Sequence, residues 1–164
     1  MNNMDKITEK VFLGDFMGAA NEEALLKNNI KRVFSCNGDL SPKYKDKSIV
    51  QKIIQLEDSP RQNIMQYFVE AIKFIEESNK VFVHCFAGVS RSATLVIAYF
   101  MWKDRKGFDD CFNKVNEKRF IGPNFGFRQQ LAILDKKLKE NGYNLDKIKF
   151  DDVKWPPEGG IMGI

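Results

Sequence analysis

Short apolar runs rich in β-branched and aromatic residues alternate along the chain with stretches of helical period. Lys10–Leu13, Arg32–Cys36, Ile49–Leu56 and Val81–His84 each read as a strand bounded by polar residues. Between them, Asn21 is placed to cap a helix over Glu22–Asn28, with acids in its first turn. Ser59-Pro60-Arg61-Gln62 has the pattern of a capping box with proline at the first helical position. The helix it opens carries Ile64, Phe68, Ile72 and Ile75 on one face. Ser92–Lys103 lacks a polar face, which predicts a helix buried on all sides. Two amphipathic helices follow. One runs from about Asp109 to Lys118, with Phe112 and Val115 inward. The other runs from about Asn124 to Asn141, with Phe127, Leu131, Leu134 and Leu138 inward and Gly142 placed to end it in the left-handed conformation.

This alternation predicts an α/β fold: a central, mostly parallel or mixed sheet of four to five strands with helices on both faces. Residues 1–148 are expected to form one domain. Residues 149–164, with Trp155-Pro156-Pro157-Glu158-Gly159-Gly160, show neither period and are expected to be a mobile tail.

Composition narrows the classes. A chain of 164 residues, 43% hydrophobic and 29% charged, suits one soluble domain. Three cysteines are too few for a disulfide scaffold and point to a reducing, cytoplasmic setting, with access to the nucleus left open. The polar opening Met1-Asn2-Asn3-Met4-Asp5-Lys6 has no secretory pattern, and the longest apolar run, Ala93–Trp102, is about half the length of a membrane span. No common lipid-anchor motif is seen, so no membrane partner is expected. A net charge of +4 suits an anionic substrate but falls far short of a nucleic-acid-binding stripe. Oligomeric state is not readable.

The chemistry concentrates in one loop. Val81-Phe82-Val83-His84-Cys85-Phe86-Ala87-Gly88-Val89-Ser90-Arg91-Ser92 joins a buried strand directly to the buried helix. Anions bind at the carboxyl ends of strands and at helix N-termini, and a tight loop there can turn several amides toward one point. Phe86, Ala87, Gly88, Val89 and Ser90 would supply those amides, and Gly88 permits the curl. Cys85, at the start of this nest, would be stabilised as a thiolate facing a bound phosphate, a nucleophile placed for in-line attack. Arg91 lies six residues later, where its guanidinium fork can grip phosphate oxygens. Neither Cys36 nor Cys111 repeats that spacing. Ser92 can donate to the Cys85 sulfur. A general acid is needed for a poor leaving group, and Asp58, on a loop after a strand, is the candidate. Glu57 is its competitor, and an acid before a helix can be a cap alone. His84, the only histidine, reads better as a residue that orders the Cys85 backbone than as a base.

His84-Cys85-Phe86-Ala87-Gly88-Val89-Ser90-Arg91-Ser92 resembles the signature loop of the dual-specificity protein phosphatases, within the protein tyrosine phosphatase superfamily. The resemblance extends from about Ile7 to Tyr143, through Val11-Phe12-Leu13-Gly14, Glu57-Asp58, Ala98-Tyr99-Phe100-Met101 and Pro123-Asn124-Phe125-Gly126-Phe127 with Gln130-Leu131. It implies that Cys85 is the nucleophile, Arg91 the phosphate clamp, Asp58 the acid and base, Ser92 the thiolate partner and Asn124 a brace for the loop. It also implies phosphorylated protein substrates, a shallow pocket open to phosphotyrosine, phosphoserine and phosphothreonine, and no metal or other cofactor. Some relatives carry a second cysteine where Cys36 stands, which makes Cys36 a candidate redox partner of Cys85. Two other functions remain open. One is hydrolysis of phosphoinositides or RNA 5′-phosphates, against which the uncharged Phe86, Ala87, Val89 and Ser90 argue. The other is a phosphate-binding module without turnover, against which the presence of Cys85, Arg91 and Asp58 argues.

Overall fold

The computed structural model describes residues 2–161. Five strands form one sheet: β1 (Met4–Lys6), β2 (Val11–Gly14), β3 (Arg32–Ser35), β4 (Val50–Ile53) and β5 (Val81–His84), in the order β1-β2-β5-β3-β4. β2, β5, β3 and β4 run parallel, and only β1 pairs antiparallel, on β2. The sheet is thus mixed and mostly parallel, as the alternation of strands and helices predicts.

Period-two alternation divides the side chains of the three central strands between two layers. Phe12, Phe82 and Val33 stand in register across one face, where they meet Ala19 and Leu25 of the short helices α1 (Phe16–Ala20) and α2 (Glu22–Lys27). Leu13, Val83 and Phe34 stand in register across the other, in the main core. That core is closed by α3 (Phe68–Glu76), α4 (Arg91–Lys103), α5 (Phe108–Asn116) and α6 (Phe125–Glu140). α4 is buried from Ser92 to Met101 and packs against α3, α5, α6 and the sheet, so its apolar circumference reflects a central position.

Several boundaries differ from expectation for local reasons. No helix starts at Ser59. Its Oγ accepts from Arg61 N and its carbonyl from Gln62 N, which closes a turn, and the Gln62 side chain reaches Glu57 N instead of a helix cap. The amides of Ile64 and Met65 are taken by the buried Gln130 side chain, so regular helix begins only at Phe68 after a 3-10 turn over Met65–Tyr67. β1 and α1 lack a sequence signal because they are three and five residues long, and α1 owes its start to Asp15, whose carboxylate accepts from Gly18 N at 2.9 Å. Asn21 does cap α2, at 3.1 Å from Ala24 N, and Gly142 takes φ +59° beyond α6.

Residues 149–161, expected as a tail, lie against the domain. Phe150 meets Phe68 edge to face, Trp155 Nε1 donates to Pro60 O at 3.0 Å, and Ile161 is buried. Residues 162–164 lie outside the described residues.

Candidate active site

β5 ends at His84, so Cys85 emerges at the carboxyl edge of the sheet, and six residues later α4 begins at Arg91. The loop between them is shaped from outside. Phe86 O accepts from Phe16 N (3.1 Å), Ala87 O from Arg119 Nη2 (3.0 Å) and Gly88 O from Arg119 Nε (2.9 Å). Val89 O accepts from Gly122 N and Ser90 O from Thr94 N, both at 2.9 Å. A peptide carbonyl points opposite to the N–H of the same peptide plane, so holding the carbonyls of Phe86 to Ser90 outward turns the amides of Ala87 to Arg91 inward. Among the described residues, the amides of Phe86, Ala87, Val89 and Ser90 donate to no protein acceptor. That of Gly88 donates to Cys85 Sγ at 3.2 Å. Gly88 sits at φ +69°, and a Cβ there would lie 2.5 Å from Gly14 O and 2.7 Å from Arg119 Nη2. No other residue fits that curl.

Cys85 Sγ is also 3.1 Å from Ser92 Oγ, in the first turn of α4, and is almost fully buried. Arg91 is anchored by one arm, Nη1 donating to Leu56 O at 3.0 Å. Among the described residues its Nε is buried with no partner, which leaves a donor free for an oxyanion.

Asp58 is exposed and lies two residues beyond Leu56. Its Oδ1 accepts from Asn124 Nδ2 at 2.9 Å. Asn124 is a junction. Its Oδ1 caps α6 at 2.9 Å from Phe127 N, and its own N–H donates to Ser90 Oγ at 3.0 Å. One side chain thereby ties the acid loop, the phosphate loop and a helix start. Gln130 adds a second tie, accepting from Ile64 N and Met65 N and donating to Gln62 O. Glu57 is exposed, and its described hydrogen bond is the backbone one to Gln62.

His84 Nε2 lies 2.6 Å from Ser35 Oγ, which already accepts from Gln51 Nε2. Cys85 O, 3.4 Å from Nδ1, can only accept, so in the neutral ring Nδ1 carries the proton and Nε2 accepts from the Ser35 hydroxyl. Burial lowers the His84 pKa to about 4, so the ring is neutral and holds backbone. Cys36 stands one position beyond Ser35, the register partner of His84, and is buried and free. Burial pushes its thiol well above the ordinary range, Cys85 adds to this and Arg91 opposes it.

Sequence reasoning misses Arg119. It is buried, pairs with Asp5 Oδ2 at 2.9 Å and also donates to Asn2 O, besides holding the two loop carbonyls. In the sequence, a basic residue after Lys118 at a helix end reads as solvated, and its partners lie 31 to 117 positions away.

Residues 11–137 match the family described as dual specificity phosphatase, catalytic domain. The chain is 37% identical over 135 residues to dual specificity protein phosphatase 22-A of Danio rerio, across 79% of this chain and 64% of that protein. It is 38% identical over 140 residues to dual specificity protein phosphatase 22 of Homo sapiens, across 82% of this chain and 75% of that protein. The matched segment thus spans less than two thirds of the Danio rerio relative. Among solved structures, the human tyrosine phosphatase-like serine/threonine/tyrosine-interacting protein superposes with a TM-score of 0.76 at 31% identity, over 81% of this chain and 95% of that one. The match runs through the sheet, the loop at Cys85 and the helix after it, and on it the chain belongs to the dual specificity phosphatase family of the protein tyrosine phosphatase superfamily.

Proposed function

We propose that the chain hydrolyses phosphotyrosine and phosphoserine or phosphothreonine on proteins through a phosphocysteine at Cys85. The observation that carries this reading is a buried sulfur that accepts from Gly88 N, in a loop whose Phe86, Ala87, Val89 and Ser90 amides meet no acceptor among the described residues, with the Nε of Arg91, the next residue, buried and without a described partner.

In the first step the Cys85 thiolate attacks phosphorus, the bond to the substrate oxygen breaks, and Asp58 as carboxylic acid gives its proton to that oxygen. The amides of Phe86 to Ser90 and the Arg91 guanidinium hold the equatorial oxygens as charge spreads over them. In the second step water attacks phosphorus, Asp58 as carboxylate takes the water's proton, and the S–P bond breaks. Ser92 donates a hydrogen bond to the departing sulfur. Asn124 holds Asp58, and His84 and Asn124 hold the loop. No step calls for a metal or cofactor.

Cys36 is proposed as a resolving thiol. Peroxide oxidises Cys85 to the sulfenic acid, and the Cys36 thiol condenses with it, forming the S–S bond and releasing water. Adjacent strands lie about 4.8 Å apart, within the Cα separation that a disulfide accepts. Three unpaired cysteines support a reducing, cytoplasmic setting.

The test is the leaving-group dependence of Asp58→Asn. Turnover should fall about 10²- to 10³-fold on phosphothreonine peptides and much less on p-nitrophenyl phosphate, whose leaving group needs no proton. Equal losses on both would remove Asp58 from the acid role. Faster hydrolysis of short-chain phosphoinositides than of phosphopeptides by the native protein would move the substrate class to lipids.

A further inference from the structure

We propose that an apolar collar around the phosphate cradle selects phosphorylated peptides with aliphatic or aromatic residues beside the phosphorylated one. This deepens the phosphatase reading and rests on it for the site that takes the phosphate. Among the described residues, eight large apolar side chains stand well exposed, and five of them, Phe16, Met17, Phe86, Phe120 and Phe125, belong to the segments bonded to the phosphate loop. Each is between 42% and 68% exposed. Single exposed apolar residues need no explanation, but a group gathered at one opening marks a binding surface.

The backbone shows how they are gathered. Phe86 directly follows Cys85. Phe16 N donates to Phe86 O at 3.1 Å, and the two rings stack with centroids 4.7 Å apart and planes 10° apart. The segment carrying Phe120 and Phe125 is bonded to the loop twice, through Gly122 N to Val89 O at 2.9 Å and Asn124 N to Ser90 Oγ at 3.0 Å. A phosphate delivered to Cys85 therefore arrives beside Phe86, which directly follows the sulfur, and the other exposed rings stand on segments bonded to the same loop.

Charge decides which groups suit them. The two charged residues directly flanking the collar rings in sequence are spent inside the fold: Asp15 on Gly18 N, and Arg119 on Ala87 O, Gly88 O and Asp5. An acidic side chain next to the phosphorylated residue would lose water against phenyl rings and gain no counterion from these neighbours. An aliphatic or aromatic side chain would instead bury its surface against them, a gain of about tenfold or more in affinity for a well-covered ring. A lipid surface could also take up an apolar collar, but stable attachment asks for a basic cluster as second signal, and Arg119 is not free to join one.

The experiment uses three phosphotyrosine peptides of equal length, flanked by Leu and Phe, by Ala, or by Asp and Glu. Two measurements are made: kcat/KM for the native protein, with p-nitrophenyl phosphate as reference, and Kd for the Cys85→Ser protein. The Leu/Phe peptide should exceed the Asp/Glu peptide about tenfold or more in both. The Met17→Ser/Phe120→Ser protein should lose most of that preference while p-nitrophenyl phosphate turnover stays within about twofold. Equal values for the three peptides, or a preference that survives the double substitution, would overturn the proposal. So would a matching fall on p-nitrophenyl phosphate, which would place these side chains in the chemistry. Collar-dependent binding to phosphatidylcholine–phosphatidylserine vesicles without peptide discrimination would overturn it in favour of a membrane. If the native protein turns over no phosphate ester, the phosphatase reading falls by itself, and the collar is then judged on the Cys85→Ser affinities alone.

Discussion

Five consecutive carbonyls, from Phe86 to Ser90, meet donors outside the loop, and two of the five meet a single guanidinium. Arg119 touches neither sulfur nor phosphate in this arrangement. It acts by fixing where the amides point, as a positioning residue. Arg119→Lys keeps the charge for Asp5 but has one nitrogen where the fork uses two on the loop. Misplacing a catalytic group by about 1 Å can cost about 10²-fold, so kcat on p-nitrophenyl phosphate should fall on the order of 10- to 100-fold and the inhibition constant of inorganic phosphate should rise with it. A variant with lower thermal stability but native kcat and phosphate affinity would reduce Arg119 to a structural part. Cys85, Arg91 and Ser92 could be read from the sequence because the strand, loop and helix that align them are contiguous. Arg119 and Asp5 could not, because their meeting depends on β1 joining the sheet edge, which a three-residue polar segment does not announce.

At the scale of elements, the acid loop is held by three separate ties. Asn124 holds Asp58 itself, Gln130 holds the amides after it, and Trp155 holds Pro60 O at 3.0 Å. Gly126 lets α6 come close to the same proline: a Cβ there would lie 2.1 Å from Pro60 O. The third tie comes from the segment expected as a tail, which lies beyond the family match. A polar stretch with Pro and Gly shows no period, and its hydrogen bond to Pro60 uses a partner 95 positions earlier, so sequence pattern had nothing to register. The capping-box motif at Ser59 misleads because Glu57 N, five positions earlier, takes the glutamine, and the distant Gln130 takes the amides of Ile64 and Met65. Trp155→Phe keeps the ring and removes one hydrogen bond, worth about 1 kcal/mol, or about fivefold. Turnover of phosphothreonine peptides should fall by about that factor, with p-nitrophenyl phosphate within about twofold. Equal effects on both substrates would mean that Trp155 does not act through the acid loop.

For the molecule as a whole, the continuous apolar runs of the central strands and the one helix apolar on all sides are visible in the chain before folding, whereas which strand side chains go to which layer is seen only in the fold. The same sheet places Cys36 and Cys85 each one residue beyond the register pair Ser35–His84, at the ends of neighbouring strands. Brief exposure to peroxide should give a Cys36–Cys85 disulfide detectable by peptide mapping, with activity restored by thiol. Only sulfinic or sulfonic acid at Cys85 would refute the pairing. Cys111, with its thiol pushed up to about 12 by burial, should remain unmodified under the same exposure.

The most direct test of the central claim is a rapid denaturing quench at neutral pH during turnover of a phosphopeptide, followed by mass spectrometry of the peptide containing Cys85. The account predicts one phosphoryl group on the Cys85 sulfur in the native protein and none, with no turnover, in Cys85→Ser. Hydrolysis that proceeds with Cys85 unmodified, or that survives in Cys85→Ser, would contradict it.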